Sequence, residues 1–385
     1  MFRYKYIFVF LITVATNRLF AIDFDIRVFS TSQLKTIKIT PLSGKYGVFG
    51  DSKKIADIYK NNSIQLSVKE GKINITKEGE SLGSFAAIEF SADGFLNTFI
   101  LKPLEPDIRQ RVYDDGLKLS IDNNGFLKII NKVELEHYVA GVVESEGDVK
   151  KNLEFLKVQA IISRTYAISN LRKHIKDEGY NFCDDVHCQV YRGRSTNSMI
   201  MMAISQTTGM IIIDITNKPI SAAFHSNCGG ETANSEDVWS VSTTYLKSVN
   251  DTFCLHQSQA RWEKKIPTKD WLNYLSSKYN FPVSDSAMRI KAITFSQPHR
   301  KMFFDDNPNI PMKTVRSDWK LKSAFFSIED HGDTLLFRGR GYGHGVGLCQ
   351  EGAIHMVDLG WTYKDIIKYY YKGVSFINIT ELKPQ

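Results

Sequence analysis

From about Asp23 to Asn131 apolar and polar residues alternate in period two, as in Ile64-Gln65-Leu66-Ser67-Val68 and Ile73-Asn74-Ile75. At Glu134 that rhythm stops, and Leu135, Tyr138, Val139, Val142 and Val143 fall at helical spacing. A strand of period two cannot hold its apolar side inward as a helix, so the switch divides a β-rich N-terminal region from a body that contains helices. Turn signals at Glu70-Gly71, Glu78-Gly79 and Asn124-Gly125 separate the strands. A second helical stretch is expected from Leu153 to Leu171, a third from Ser198 to Thr207, another near Thr268 to Tyr279 and an amphipathic one at Trp361 to Tyr371. Strands are expected at Met210 to Ile215, Ile290 to Phe295 and Ser323 to Ile328. The helices are too few and too irregularly placed for a doubly wound sheet, which makes the fold class mixed α+β.

The first residues read as an export signal, with Arg3 and Lys5, an apolar run from Ile7 to Ala15, and a cleavage point at Leu19-Phe20-Ala21. An apolar core of about ten residues is short against the roughly 20 of a spanning helix. The mature chain is therefore expected outside the cytoplasm, periplasmic or associated with the cell wall, with membrane contact only if the segment stays uncleaved. The expected organisation is a signal peptide at 1–21, a β-rich region at 22–111 and a main domain at 112–380. The formal charge of +7 is modest and its Lys and Arg residues are interleaved with Asp and Glu. A nucleic-acid partner would need them clustered, and none is expected.

Gly339, Gly341, Gly343, Gly345 and Gly347 alternate through one loop around His344, followed by Gln350. Glycine at that density lets backbone approach something closely, and exposes peptide N–H groups. The loop lacks the Gly-Lys-Ser/Thr ending of a phosphate-binding loop, which argues against a nucleotide. A second polar turn, Phe224 to Thr232, carries His225 and Ser226 but no Gly-x-Ser-x-Gly elbow, so a Ser/His nucleophile is unconvincing.

Glu146 stands at the exit of the first expected helix. A carboxyl there that is partly desolvated has a raised pKa suited to proton transfer. On the next helix Gln159, Ser163 and Tyr166 share a stripe with Arg164 beside them. Polar side chains on a buried face require a ligand or a hydrogen-bonded network.

Leu135 to Glu146, Lys157 to Ala167, Gln189-Val190-Tyr191, His225 to Thr232 and Gly341 to Ala353, in that order, resemble the stage II sporulation protein D (SpoIID) family, which includes the amidase enhancer LytB. The likeness runs from roughly Val112 to Phe376. It implies a peptidoglycan lytic transglycosylase acting on glycan strands freed of stem peptides, with Glu146 as the catalytic acid. The implied sugar cleft takes in Gln159, Ser163, Arg164, Tyr166, Tyr191, His225, Ser226, Tyr342, His344 and Gln350. A lytic transglycosylase uses the 6-hydroxyl of its own substrate as nucleophile. It therefore needs no second carboxylate at the roughly 5 to 9.5 Å of hydrolytic glycosidases. The resemblance also allows, as an alternative that the retained Glu146 disfavours, a non-catalytic peptidoglycan-binding protein that enhances a partner amidase, and a role in cell division or wall remodelling as readily as in sporulation. Where the family commonly continues the catalytic Glu with Met-Pro, this chain has Gly147-Asp148.

The five cysteines are Cys183, Cys188, Cys228, Cys254 and Cys349, an odd set for an exported chain. Cys183, Cys188, His187 and His174 have the residue types of a tetrahedral zinc site, and a local disulfide is the competing reading. Some family members are similar in holding a zinc near the cleft through two Cys and His ligands, which implies a structural zinc rather than a catalytic one. Cys228 and Cys254 could pair, which would leave Cys349 over. A zinc hydrolase built on His225 or His344 lacks the His-Glu-x-x-His spacing.

Overall fold

The computed structural model describes residues 22–146 and 152–382. The expected signal segment at 1–21 lies outside them. Ten strands come first: β1 (Asp23–Val28), β2 (Thr36–Gly50), β3 (Lys53–Tyr59), β4 (Ile64–Lys69), β5 (Lys72–Lys77), β6 (Glu80–Phe85), β7 (Ile88–Glu105), β8 (Arg111–Asp114), β9 (Gly116–Ile121) and β10 (Leu127–Glu134). Along one path their order is β1-β10-β9-β7-β2-β4-β5-β6, with β3 on β2 and β8 on β7. The sheet thus runs without a break through position 112.

The alternation read from the sequence is what holds this sheet together. Ile37 and Ile39, Ile64 and Leu66, and Ile73 and Ile75 all point inward and are buried, while Lys38 and Gln65 face out. The two-residue hairpins fall where expected, with Glu70-Gly71 and Glu78-Gly79 both at positive φ.

Helix α1 (Leu135–Glu146) leaves β10 directly, because Glu134 folds back and its carboxylate accepts the N–H groups of Glu136 and His137. Helix α2 (Leu153–Ser169) starts at Asn152, whose side chain accepts the Glu154 N–H. The apolar face of α1 joins the core under the sheet. Part of α2 belongs to a second core with Tyr370, Tyr371, Ile366 and Met356 from the C-terminal helices. A third core, around Trp271, Phe304 and Phe337, packs a three-stranded sheet against the helix Thr268–Tyr279. Helices and several sheets coexist, so the fold is mixed α+β with a β-rich N-terminal region.

The helix at Ser198–Gln206, the strand at Met210–Ile213 and the helix at Tyr363–Tyr370 lie where expected. One segment differs. The strand expected at Ile290 to Phe295 is the second half of a helix, Ser286–Ile293. The Asp285 carboxylate accepts the Met288 N–H, and Ala287, Met288, Arg289 and Lys291 are strong helix formers, so a local cap overrides the apolar run. Among the described residues no helix is long and apolar enough to cross a membrane.

Candidate active site

Glu146 ends α1, and its carboxylate accepts the Val190 N–H at 2.7 Å. Burial raises its pKa above the ordinary carboxylate value, opposed by that N–H and by Arg192. The other end of the pair is held by the same helix. Ser145 Oγ accepts the Arg192 N–H at 2.9 Å and the Glu144 carboxylate accepts the Thr196 N–H at 3.1 Å. Glu144 is thus a clamp for the loop. Gly141 lets that loop lie on the helix, since a Cβ there would meet the Gly193 carbonyl at 2.2 Å. Gly147-Asp148 lie outside the described residues.

Tyr191 is not at the surface of a cleft. It is fully buried, donates to Asn131 Oδ1 at 3.0 Å, and packs between Tyr113 and Tyr138. Its contribution is to anchor the peptide that presents the Val190 N–H. Tyr166 packs against Phe182, and its hydroxyl accepts from Lys173. Arg164 is also fully buried and is committed to Glu136 by two hydrogen bonds of 2.9 and 2.6 Å and to the Met210 carbonyl. A guanidinium so engaged braces the fold.

His225, Ser226, Tyr342, His344 and Gln350 form a second group. The strand Phe224–His225 pairs in parallel with Leu348–Cys349, and the Ser226 carbonyl accepts the Glu351 N–H. His225 donates from Nδ1 to the Val346 carbonyl at 3.1 Å, which leaves its buried Nε2 as an acceptor with no partner among the described residues. His344 accepts the Val346 N–H at Nδ1, and its ring lies 5.6 Å from that of His225. Burial drives the His225 pKa well down, with His344 adding to the effect. Burial, with Arg316 and Arg300, brings His344 to about 4. Both imidazoles are therefore neutral near pH 7 and offer hydrogen bonds rather than charge.

The glycine loop serves a purpose the sequence did not reveal. A Cβ at Gly347 would meet the Ala223 carbonyl at 2.1 Å, and one at Gly343 would meet the His225 Cβ at 2.8 Å. The close approach is to the protein's own 223–228 turn, and it is what brings His344 beside His225. The exposed side of this group is aromatic instead. Tyr342 is 45% exposed and Trp239, 42% exposed, packs with its ring tilted against that of His344, centroids 5.2 Å apart. Trp239 was not singled out from the sequence, where a lone Trp in a polar stretch carries no signal of its neighbours.

The two groups meet through α2. Gln159 and Ser163 are buried on it, and Gln159 Nε2 and Ser163 Oγ have no partner among the described residues. Gln350 reaches Gln159 at 3.5 Å, at the outer limit of a hydrogen bond. The polar stripe thus lies on α2, which packs against α1, and touches the His225 group through Gln350.

Beside the Val190 loop, Phe182–Cys183 adds to the sheet as a short strand parallel to β1. Cys183 Sγ and Cys188 Sγ are 3.2 Å apart, His174 Nε2 is 3.3 Å from Cys188 Sγ, and His187 Nδ1 is 3.9 and 3.8 Å from the two sulfurs. All four ligating atoms lie within 4.8 Å of one another. The adjacent Cys188 sulfur, with His187 nearby, lowers the Cys183 pKa.

A family profile described as "Stage II sporulation protein" matches residues 123–213, the segment that holds α1, α2 and the cysteine loop. The stage II sporulation protein D of Bacillus subtilis (strain 168) is 30% identical over 267 residues, 64% of this chain and 75% of that protein. The chain belongs to the stage II sporulation protein D family. Within its reach are also the amidase enhancer of B. subtilis, 24% identical over 333 residues that cover 70% of this chain and 46% of the enhancer. An uncharacterised protein of Brachyspira hyodysenteriae is 28% identical over 273 residues, 70% of this chain and 74% of that one. The family profile covers the Glu146 helix and its Val190 partner, whereas the His225 and His344 turns lie beyond it.

Proposed function

We propose that this family member is an exported peptidoglycan lytic transglycosylase with Glu146 as its single acid and base. The observation that carries the reading is the desolvated Glu146 carboxyl, oriented through one oxygen by the Val190 N–H. Protonated Glu146 gives its proton to the glycosidic oxygen between N-acetylmuramic acid and N-acetylglucosamine as that bond breaks. Positive charge develops at the muramyl C1 next to the carboxylate. The muramyl 6-hydroxyl then bonds to C1 and returns its proton to Glu146, so the product is a 1,6-anhydro end and no water is consumed. Exposed Tyr342 and Trp239 suit stacking on sugar faces, with the neutral His344 ring packed against Trp239 and His225 behind it.

The same reading gives His174, Cys183, His187 and Cys188 a structural zinc. Two sulfurs 3.2 Å apart are too far for a disulfide and close to the edge of a zinc tetrahedron. When bound, the metal supplies a cross-link rather than chemistry. The chain carries that rigidity onward: Asp184, inside the loop, accepts from Phe29 N, Ser30 N and Arg111, which fixes the approach to Val190.

The test is incubation of purified protein with stem-peptide-free glycan strands and mass spectrometry of the products. The expected result is 1,6-anhydromuramyl ends from the wild type and a loss of at least about 100-fold with Glu146→Gln. Equal product from both proteins overturns the role of Glu146. The similarity to an amidase enhancer favours a second reading, in which the protein binds glycan and stimulates a partner amidase. It predicts no anhydro product from the wild type, and faster stem-peptide release when a cell-wall amidase is added.

A further inference from the structure

Cys228, Asp251, Cys254 and Cys349 come from three separated parts of the chain and meet in the second core, every one of them fully buried. Cys228 lies in the His225 turn, Asp251 caps and Cys254 ends a short helical turn at Thr252–Cys254, and Cys349 caps the helix Gln350–Asp358. Cys228 Sγ lies 3.3 Å from Cys254 Sγ and 3.2 Å from Asp251 Oδ2, and the four ligating atoms all lie within 4.8 Å of one another. No two sulfurs are at the roughly 2.05 Å of a disulfide, and all three thiols are free.

A disulfide would use two of these groups and leave a third thiol and a buried carboxylate out of the bond. A metal uses all four. We propose that Cys228, Asp251, Cys254 and Cys349 form a second, closed zinc site, independent of the cluster at 174–188. Thiolates exclude magnesium and calcium, and a buried four-ligand set without an open position is the pattern of structural zinc.

The surroundings fit a metal centre. Cys349 Sγ accepts the Cys228 and Gly352 N–H groups at 3.3 and 3.4 Å, bonds that stabilise a thiolate. Asp251 is oriented by the Tyr370 hydroxyl on Oδ2 and the Phe253 N–H on Oδ1. Gly352 leaves the space, since a Cβ there would fall 2.5 Å from Asp251 Oδ2. Arg300, donating to the Cys228 and Glu231 carbonyls, sets a cation beside a cluster whose ligands carry more negative charge than a dication cancels. The site would staple the Cys228 turn to the start of the Gln350 helix, and so hold His225 and Gln350 in place.

Zinc content by mass spectrometry of the purified full chain decides it, with Cys183→Ser/Cys188→Ser used to empty the other cluster. That variant is expected to keep one zinc per chain and, after exchange with cobalt, to show the thiolate-to-cobalt absorption of a tetrahedral site. Cys254→Ser in the otherwise natural chain is expected to lower the zinc content by one equivalent. The wild type, denatured without reductant in the presence of an alkylating agent, should release its metal and be alkylated at Cys228, Cys254 and Cys349. Two results overturn the proposal: a disulfide between any two of those cysteines in the wild type, or an unchanged zinc content in folded Cys254→Ser.

Discussion

Glu146 owes its place to two physical facts, a helix end and a partner N–H, and only the first is visible in the chain's spelling. Burial raises its pKa in the fold above the ordinary value of 4.5, so the folded protein binds that proton more tightly than the unfolded chain. The stability linked to the proton is fully present below the unfolded pKa and is lost as pH rises through the folded one. Glu146→Gln keeps an oxygen for the Val190 N–H and removes the buried charge. It should therefore be more stable than the wild type at pH 7 by about 0.5 to 2 kcal/mol, and the gain should vanish near pH 4. Thermal unfolding at the two pH values measures this, and equal stabilisation at both would show that charge is not its source. Arg164 teaches the complementary lesson. Its type and place suggested a sugar ligand, but its guanidinium faces Glu136 on the neighbouring helix instead.

At the level of elements, α1 and the loop after Cys188 act as one unit. Three acceptors from the last turn of α1, on Glu144, Ser145 and Glu146, hold N–H groups of Thr196, Arg192 and Val190. The contact depends on the bare face at Gly141. Gly141→Ala would place a Cβ 2.2 Å from the Gly193 carbonyl and 2.5 Å from the Tyr191 ring. Overpacking of this kind costs about 1 to 3 kcal/mol. The loop should also shift away from Glu146, so glycan cleavage should fall further than the drop in folded fraction explains. Chemical denaturation and product assays on the same samples separate the two effects. Apolar spacing made α1 and α2 legible, since both carry enough buried residues to show the 3.6 period. The segment at Ser286–Ile293 was not, because it is short and little of it besides Ala292 is buried, so its cap decides its structure.

Across the whole molecule, the Arg164–Glu136 pair joins α1 and α2 to the turn at Gly209 and Met210. That turn opens the strand Met210–Ile213, which pairs with the C-terminal strand Ser375–Asn378. One ion pair thus ties the helix pair to both the middle and the end of the chain. Glu136→Gln would leave the fully buried guanidinium uncompensated, and should cost about 3 to 5 kcal/mol in urea unfolding. Replacing both partners, as Glu136→Leu/Arg164→Met, should cost markedly less, because no buried charge is stranded. If the double variant is no more stable than the single one, the pair is not the brace described.

Local patterns determined a great deal by themselves. Alternation placed the strands of the N-terminal sheet, glycine and asparagine marked its turns, and helical spacing with Glu146 at its end located the candidate acid. These are properties of neighbours in sequence, where backbone geometry converts spacing directly into direction. Which groups those residues meet was decided only by the tertiary structure. The Val190 N–H lies 44 residues from Glu146, Glu136 lies 28 from Arg164, and Cys349 lies 121 from the Cys228 N–H that it accepts. Contacts over such separations leave no period in the sequence, and so the partner of the acid, the purpose of the glycine loop and the use of the leftover cysteine emerged only once the cores had packed.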